Sequence, residues 1–414
     1  MAFFSWLRNR TSTRTPRRDG FQIRPTASRF RPRLEALEGR WLPSTLTVMN
    51  NLDTGAGSLR AAIAAANSGD KIVFAPSLNG QTITLTSGQL NISKNLTIQG
   101  PGASHLTISG DRVTRVFEVN ANQLVVLTGL TINNGRAGFG GGIWNVGTLT
   151  ISGCTLSGDS AFSSLTGLGG GIFNSPSGKL TVSQSTLSRD TAVSAGGGIY
   201  NLGMLTASGS TLSNNSAGGG GGGGFFIGGG SDVGAGSATA TLTNCTLANN
   251  RVPFNGGGVF VNGGTTTLTN CTVSLNSTFS GDGGGIYISS STVSILNLIN
   301  TIVAGNTRPI GASGPDIFGA VATADHSLVG DGTGSLGIVN GANGNIVGGN
   351  GHPVINPLLG PLQNNGGPTQ TRALLAGSPA IGHADNSKAP ARDQRGLPRI
   401  DELGELTDIG AFEL

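Results

Sequence analysis

Three aspartates, Asp159, Asp190 and Asp282, stand beside glycine-rich stretches and are the residues best suited by type to chemistry. Clustered carboxylates can hold calcium beside a basic residue in a polysaccharide lyase, or form the acid–base set of a glycoside hydrolase. Aligning the chain with itself removes two of them, because Asp159 and Asp190 share a column with Asn215, Asn250, Asn276 and Asn306. A column that takes Asp or Asn alike reads as a turn position, where both tolerate left-handed backbone and bond their own main chain. Asp282, just before Gly283, reads the same way, and the only adjacent acids, Asp401-Glu402, lie in the tail. The histidines (His105, His326, His352, His383) have no HxH or HExxH spacing, so no metal site is expected. Cys154, Cys245 and Cys271 lack CxxC spacing and read as stacked buried thiols, with a Cys245–Cys271 disulfide left open. The glycine runs, including 218–224 and 228–230, are not followed by Lys-Ser or Lys-Thr and so are not phosphate loops. One column remains: Trp144, Phe173, Tyr200, Phe226, Phe260 and Tyr287 each stand two residues after the last glycine of a unit. It is either an exposed ladder for sugar rings or a partner surface, or a structural stack; alternation alone does not say which side faces the core.

These columns exist because the chain repeats itself. Segments such as GGGIWN from Gly140, GGGIFN from Gly169, GGGIYN from Gly196, GGGVF from Gly256 and GGGIY from Gly283 recur, with a looser unit ending at Gly224-Phe225-Phe226. Each continues into a second pattern: LTISGCTLSGD from Leu149, LTVSQSTLSRD from Leu180, LTASGSTLSNN from Leu205, LTNCTLANN from Leu242, LTNCTVSLN from Leu268 and LINTIVAGN from Leu298. Alternation with period two marks short half-buried strands. One irregular residue (Gly153, Gln184, Gly209, Asn244, Asn270 or Asn300) shifts the phase, as a bend between two strands does. A period of 25–35 residues with glycine or asparagine corners fits a coil of a parallel β-helix, right-handed by the general preference of parallel crossovers. The fold class is therefore all-β: a right-handed, single-stranded parallel β-helix. Its columns are Cys154, Ser185, Ser210, Cys245, Cys271 and Thr301, and Leu156, Leu187, Leu212, Leu247, Val273 and Val303. Residues 46–350 make about eleven coils, a rod about 50 Å long at ~4.8 Å per coil.

An open coil needs covers at its ends. The best helix in the sequence, Ser58 to Asn67, has Ser58 as its N-cap and Ser68-Gly69 after it, and its apolar side can seal the first coil. The stretch around it, from Leu46 through Gly57-Ser58-Leu59-Arg60-Ala61-Ala62, resembles the N-terminal module of bacterial β-helix proteins with a CSLREA-like signature, without its cysteine and glutamate. Residues 351–414 are assigned as a C-terminal cap or anchor-like segment. They resemble the choice-of-anchor Q domain of secreted β-helix proteins through Asn365-Gly366-Gly367-Pro368-Thr369, Gly377-Ser378-Pro379-Ala380-Ile381, Asp393-Gln394-Arg395-Gly396 and Asp408-Ile409-Gly410-Ala411-Phe412-Glu413. Gly382 stands where that family usually has aspartate. The resemblance implies a pectate-lyase-like solenoid and retention at a surface. The coils also look like those of chlamydial polymorphic outer-membrane proteins.

Composition narrows the class. Of 414 residues 71 are glycine and only 11% are charged, which disfavours both helical bundles and disorder. Residues 1–45 hold ten arginines against three acids, so with a net charge of +4 overall the body is mildly acidic. The arginine-rich segment reads as a disordered targeting element, since the body offers no basic groove to continue a nucleic-acid footprint. Leu34 to Ser44 (LEALEGRWLPS) resembles an N-terminal element of planctomycete surface proteins. No run of ~20 apolar residues is present. The function expected is that of a secreted or cell-surface β-helix with a structural, adhesive or carbohydrate- or partner-binding role, without catalysis or cofactor. Its partners would be polysaccharide or cell-envelope components. The alternative is a polysaccharide lyase or glycoside hydrolase acting on acidic polysaccharide, the one case in which Ca2+ is implied.

Overall fold

Each repeat makes one turn of a wound ribbon. The computed structural model describes residues 43–163, 166–228, 238–291, 293–399 and 406–414. Residues 1–42, Gly229, Gly230 and Asp401-Glu402 lie outside the described residues, and with them most of the arginine-rich segment. A typical turn runs through Thr148–Ser152 on a first face, Thr155–Ser157 on a second and Ile172–Asn174 on a third. Stacking these turns builds sheets of eleven, eleven and ten strands. All pairings within the three faces are parallel, so the chain is an all-β parallel solenoid. A short helix, Leu59–Ala65, lies between the first two strands of the first face, Thr45–Val48 and Lys71–Phe74; Ser58 caps it by accepting from the Ala61 amide, and Ala66 ends it. Its Leu59, Ala62 and Ile63 join the same buried cluster as the first strands.

The predicted files are real. Leu156 pairs with Leu187, Leu187 with Leu212, Leu212 with Leu247, Leu247 with Val273 and Val273 with Val303. All six are buried. Each such side chain contributes about 1.5–3 kcal/mol by leaving water, which is what holds register over the rod. The three cysteines are buried and unpaired by any disulfide. Small hydroxyl residues of that column are themselves bonded: the Cys154 amide donates to Ser185 Oγ and the Ser185 amide to Ser210 Oγ.

The corner between first and second faces uses left-handed backbone at Gly153, Gln184, Gly209, Asn244, Asn270 and Asn300. That places the phase shift where the alternation breaks. The glycine triplets answer a different constraint. At Gly170 an added Cβ would lie 2.3 Å from the Gly197 carbonyl oxygen and 2.4 Å from that of Thr191. The ribbon there passes too close to its neighbours for any side chain.

The final segment is more strap than cap. Residues 353–355 meet the last coil, where the Ile355 amide donates to Gly330 O. The rest runs back along the second face, not across the end of the rod. Gln394 donates to Thr211 Oγ1 and accepts from Thr246 Oγ1. Asn244, Asn270 and Asn300, the corner asparagines, donate to Arg392 O, Asp408 O and Asp385 O. Leu374, Ala380, Ile409 and Phe412 of the strap share a buried cluster with Ile302 and Leu328 of the second face.

Gly170→Ala is expected to unfold or destabilise the rod by several kcal/mol. Gly153→Ala, at φ +58 with nothing within 4 Å of the new Cβ, should cost only about 1–2 kcal/mol. Thermal unfolding of the two variants side by side checks the contrast.

Candidate functional site

The aspartates that the sequence placed at turns are inside the rod. Asp159, Asp190, Asn215, Asn250 and Asn276 are fully buried, and Asn306 nearly so. The left-handed residue is the one before each: Gly158, Arg189, Asn214, Asn249, Leu275 and Gly305. This corrects the turn assignment. The column forms a ladder in which every backbone amide donates to the side chain one coil on: Asp159 to Asp190 Oδ1 at 2.9 Å, Asp190 to Asn215, Asn215 to Asn250, Asn250 to Asn276 and Asn276 to Asn306. Each asparagine Nδ2 donates twice, to the next Oδ1 and to a leucine or valine carbonyl, as Asn250 does to Asn276 and Leu212. Asp316 terminates the ladder, accepting from the Asn306 amide and Nδ2 and, through its other oxygen, from the Asp331 amide. Burial pushes its carboxyl up to about 7. Burial pushes Asp190 well above the carboxylate range, and burial together with the neighbouring Asp190 does so for Asp159. Neither aspartate faces solvent or a groove. Asp282 instead ties loops, its Oδ1 accepting from the Ser313 amide.

The six-aromatic column lies on the outer side of the third face. Trp144 stands between Ile143 and Asn145, both buried, and pairs in register with Phe173; Phe173 pairs with Tyr200 and Tyr200 with Phe226. Phe260 and Tyr287 follow, and Phe318 extends the file. The rings meet one another. Phe173–Tyr200 and Tyr200–Phe226 are stacked at 5.5 and 4.5 Å with planes within 10° of parallel. Both faces of Tyr200 are therefore taken by neighbours, and burial pushes its hydroxyl up to about 12. Phe260 instead stands edge-on between Phe226 and Tyr287. Phe173 and Phe226 are buried, and the other four of the column are half-buried. At the first end Arg115 lies over Trp144, with its guanidinium spent on Glu118, Gln89 and the Phe139 and Gly140 carbonyls. Polar residues continue the file there, as Asn91 and Glu118 stand in register with Trp144.

One half-buried group of carboxylates escaped sequence reasoning. Asp325 ends a first-face strand, His326 takes the left-handed corner, and Asp385 and Lys388 come from the strap. Lys388 Nζ lies 2.6 Å from Asp325 Oδ2 and 3.2 Å from Asp385 Oδ2, and His326 Nδ1 lies 2.6 Å from Asp325 Oδ1. Asp325, His326 and Asp385 offer three donors within 4.8 Å, the set among the described residues that could hold a cation. The lysine ammonium already lies between the two carboxylates. Its hydrogen bonds to Asp325 and Asp385 raise its pKa, the reverse of the tuning that makes lysine a general base. The signal was absent from the sequence because Asp325 and Lys388 are 63 residues apart.

No known protein family and no curated protein sequence matches the chain. Among solved structures it is similar to pectate lyase Pel9A, at 15% identity and a TM-score of 0.50, over 89% of this chain and 96% of that one. It is also similar to a PL6 alginate lyase in complex with a trisaccharide (15% identity, TM-score 0.40, 74% and 63% of the two chains). A third is an alginate lyase from Paenibacillus sp. str. FPU-7 (13% identity, TM-score 0.32, 68% and 98%). The first of these shows the shared solenoid fold.

Because the aromatic rings bury one another, Tyr200→Ala is expected to destabilise the rod by about 2–4 kcal/mol. A downward shift of the thermal midpoint checks this; an unchanged midpoint would mark the ring as a free contact surface.

Proposed function

We propose that this chain is an exported β-helix of the cell surface with a structural, adhesive or partner-binding role and no catalysis. The observation that carries the reading is where the repeat spends its reactive side chains. Asp159 and Asp190 are fully buried in the ladder, and the aromatic column is occupied with itself. What the rod presents outward is a long, sparsely charged surface with loops at its corners, which suits display and contact better than turnover. The resemblance of the strap to choice-of-anchor segments supports surface retention. Contact with polysaccharide would involve the ends of the aromatic file, where Trp144 is only half-buried and Phe139 is exposed beside it.

A second reading, a lyase or hydrolase acting on acidic polysaccharide, is favoured by one observation. The Asp325–His326–Asp385–Lys388 cluster brings two carboxylates and basic residues to one half-buried surface spot. In that reading Asp325 and Asp385 would hold Ca2+, and the charged state of Lys388 counts against it.

Assays on polygalacturonate and alginate, with and without calcium, separate the two. The proposal expects no release of unsaturated or reducing ends. Turnover that is lost in Asp385→Asn and Lys388→Ala would establish the second reading.

A further inference from the structure

Two positions of the buried ladder have the wrong residue for the work the ladder does. In its asparagine part the side-chain nitrogen is always the atom facing the third glycine of a triplet. An added Cβ on Gly198, Gly224, Gly258 or Gly285 would meet Nδ2 of Asn215, Asn250, Asn276 or Asn306 at 2.7–3.1 Å. At Gly142 and Gly171 the atom met is instead Oδ2 of Asp159 and of Asp190, at 2.7 and 2.8 Å. The two carboxyl oxygens therefore occupy the place of a donating N–H pair. Their partner oxygens behave as in asparagine: Asp159 Oδ1 accepts from the Gly135 amide and Asp190 Oδ1 from the Asp159 amide. Both Oδ2 atoms are buried, and no donor reaches either of them. As ionised oxygens they would be buried with neither a donor nor a counter-charge within reach. A proton on Oδ2 turns each into a single donor, restoring one of the two bonds that an asparagine Nδ2 makes there.

We propose that Asp159 and Asp190 are carried as neutral carboxylic acids at neutral pH, standing in for asparagine, and that this makes their two coils a base-sensitive point of the rod. The groups around them leave no other way to balance the charge. From the coil before, Asp159 meets the Gly135 amide; from the coil after, it meets Asp190. Asp190 meets Asn215 on its far side, and the third glycines Gly142 and Gly171 close the remaining side. Among the described residues no lysine, arginine or histidine is paired with either acid, and the only ionisable neighbour acting on Asp159 is Asp190. Both carboxyls are shifted upward in the fold. An upward shift gives stability that is whole below the unfolded value of about 4 and is lost as pH rises toward the folded value. Asp316 follows the same sign but remains present in every variant below, so its effect cancels.

The test compares the full chain with Asp159→Asn, Asp190→Asn and the double variant, by thermal midpoint from pH 4 to pH 10. The midpoints should nearly coincide at pH 4. Above that the parent should fall progressively below the double variant, with each single variant in between. Infrared difference spectra of parent against double variant at pH 7 should show a protonated-carboxyl C=O band belonging to the parent. A gap in midpoint that stays the same at every pH overturns the proposal, as does a difference spectrum with only carboxylate bands. Should the double variant not fold, either single variant against the parent decides, because the bands of Asp316 and Glu413, both pushed up to about 7 by burial, are common to the pair and cancel in the difference spectrum.

Discussion

Everything in this molecule follows from coils lying one strand spacing apart with like residues above like. At ~4.8 Å there is room for a hydrogen bond or an apolar contact between successive turns, and nothing else. Polar side chains buried at the corners must then satisfy one another up and down the rod. The Asp/Asn file does so with amide-to-side-chain bonds at every step from Asp159 to Asp316. A second file, Asn145–Asn174–Asn201, does the same at the corner after the third face, with Nδ2 to Oδ1 distances of 2.7 Å. Leaving one such group unpaired costs about 1–3 kcal/mol, so a slipped register is penalised at every corner at once.

The strap depends on the same corners. Their left-handed residues point outward, and the strap covers Gly209, whose carbonyl accepts from Thr369 Oγ1, as well as the asparagine corners. Asn244, Asn270 and Asn300 lie beneath the strap and bond its main chain, whereas Gly153 has nothing within 4 Å. Strap residues with long polar side chains do the rest. Gln394 bridges Thr211 and Thr246, and Arg399 reaches both Glu413 of the strap and Asn244 of the coil. The ionic cluster at Asp325, Asp385 and Lys388 ties the strap to a later coil.

Much of the fold was legible because a repeat prints its own alignment. The leucine and cysteine files, the phase-shifting bend and the capping role of Ser58 are all local periodic features, and the structure places each where the pattern did. The Asp/Asn column was visible as a column, but its role was misread by one residue. Both Gly158 and Asp159 are turn-like types, and only coordinates show that the first takes the positive φ while the second turns inward. The aromatic column could not be oriented from a three-residue strand, since either phase of the alternation fits. The strap's path was illegible for another reason: its partners lie far off in sequence, 148 residues for Asn244 and Arg392.

The functional reading inherits this economy. It rests on the Asp/Asn and aromatic repeats being occupied with one another. The most direct test is residue-resolved amide hydrogen exchange along the ladder. The backbone amides of Asn215, Asn250 and Asn276, which lie at corners but donate to buried side chains, should exchange as slowly as those of the core strand residues Leu212 and Leu247. Exchange at the rate of exposed loop amides would contradict the account.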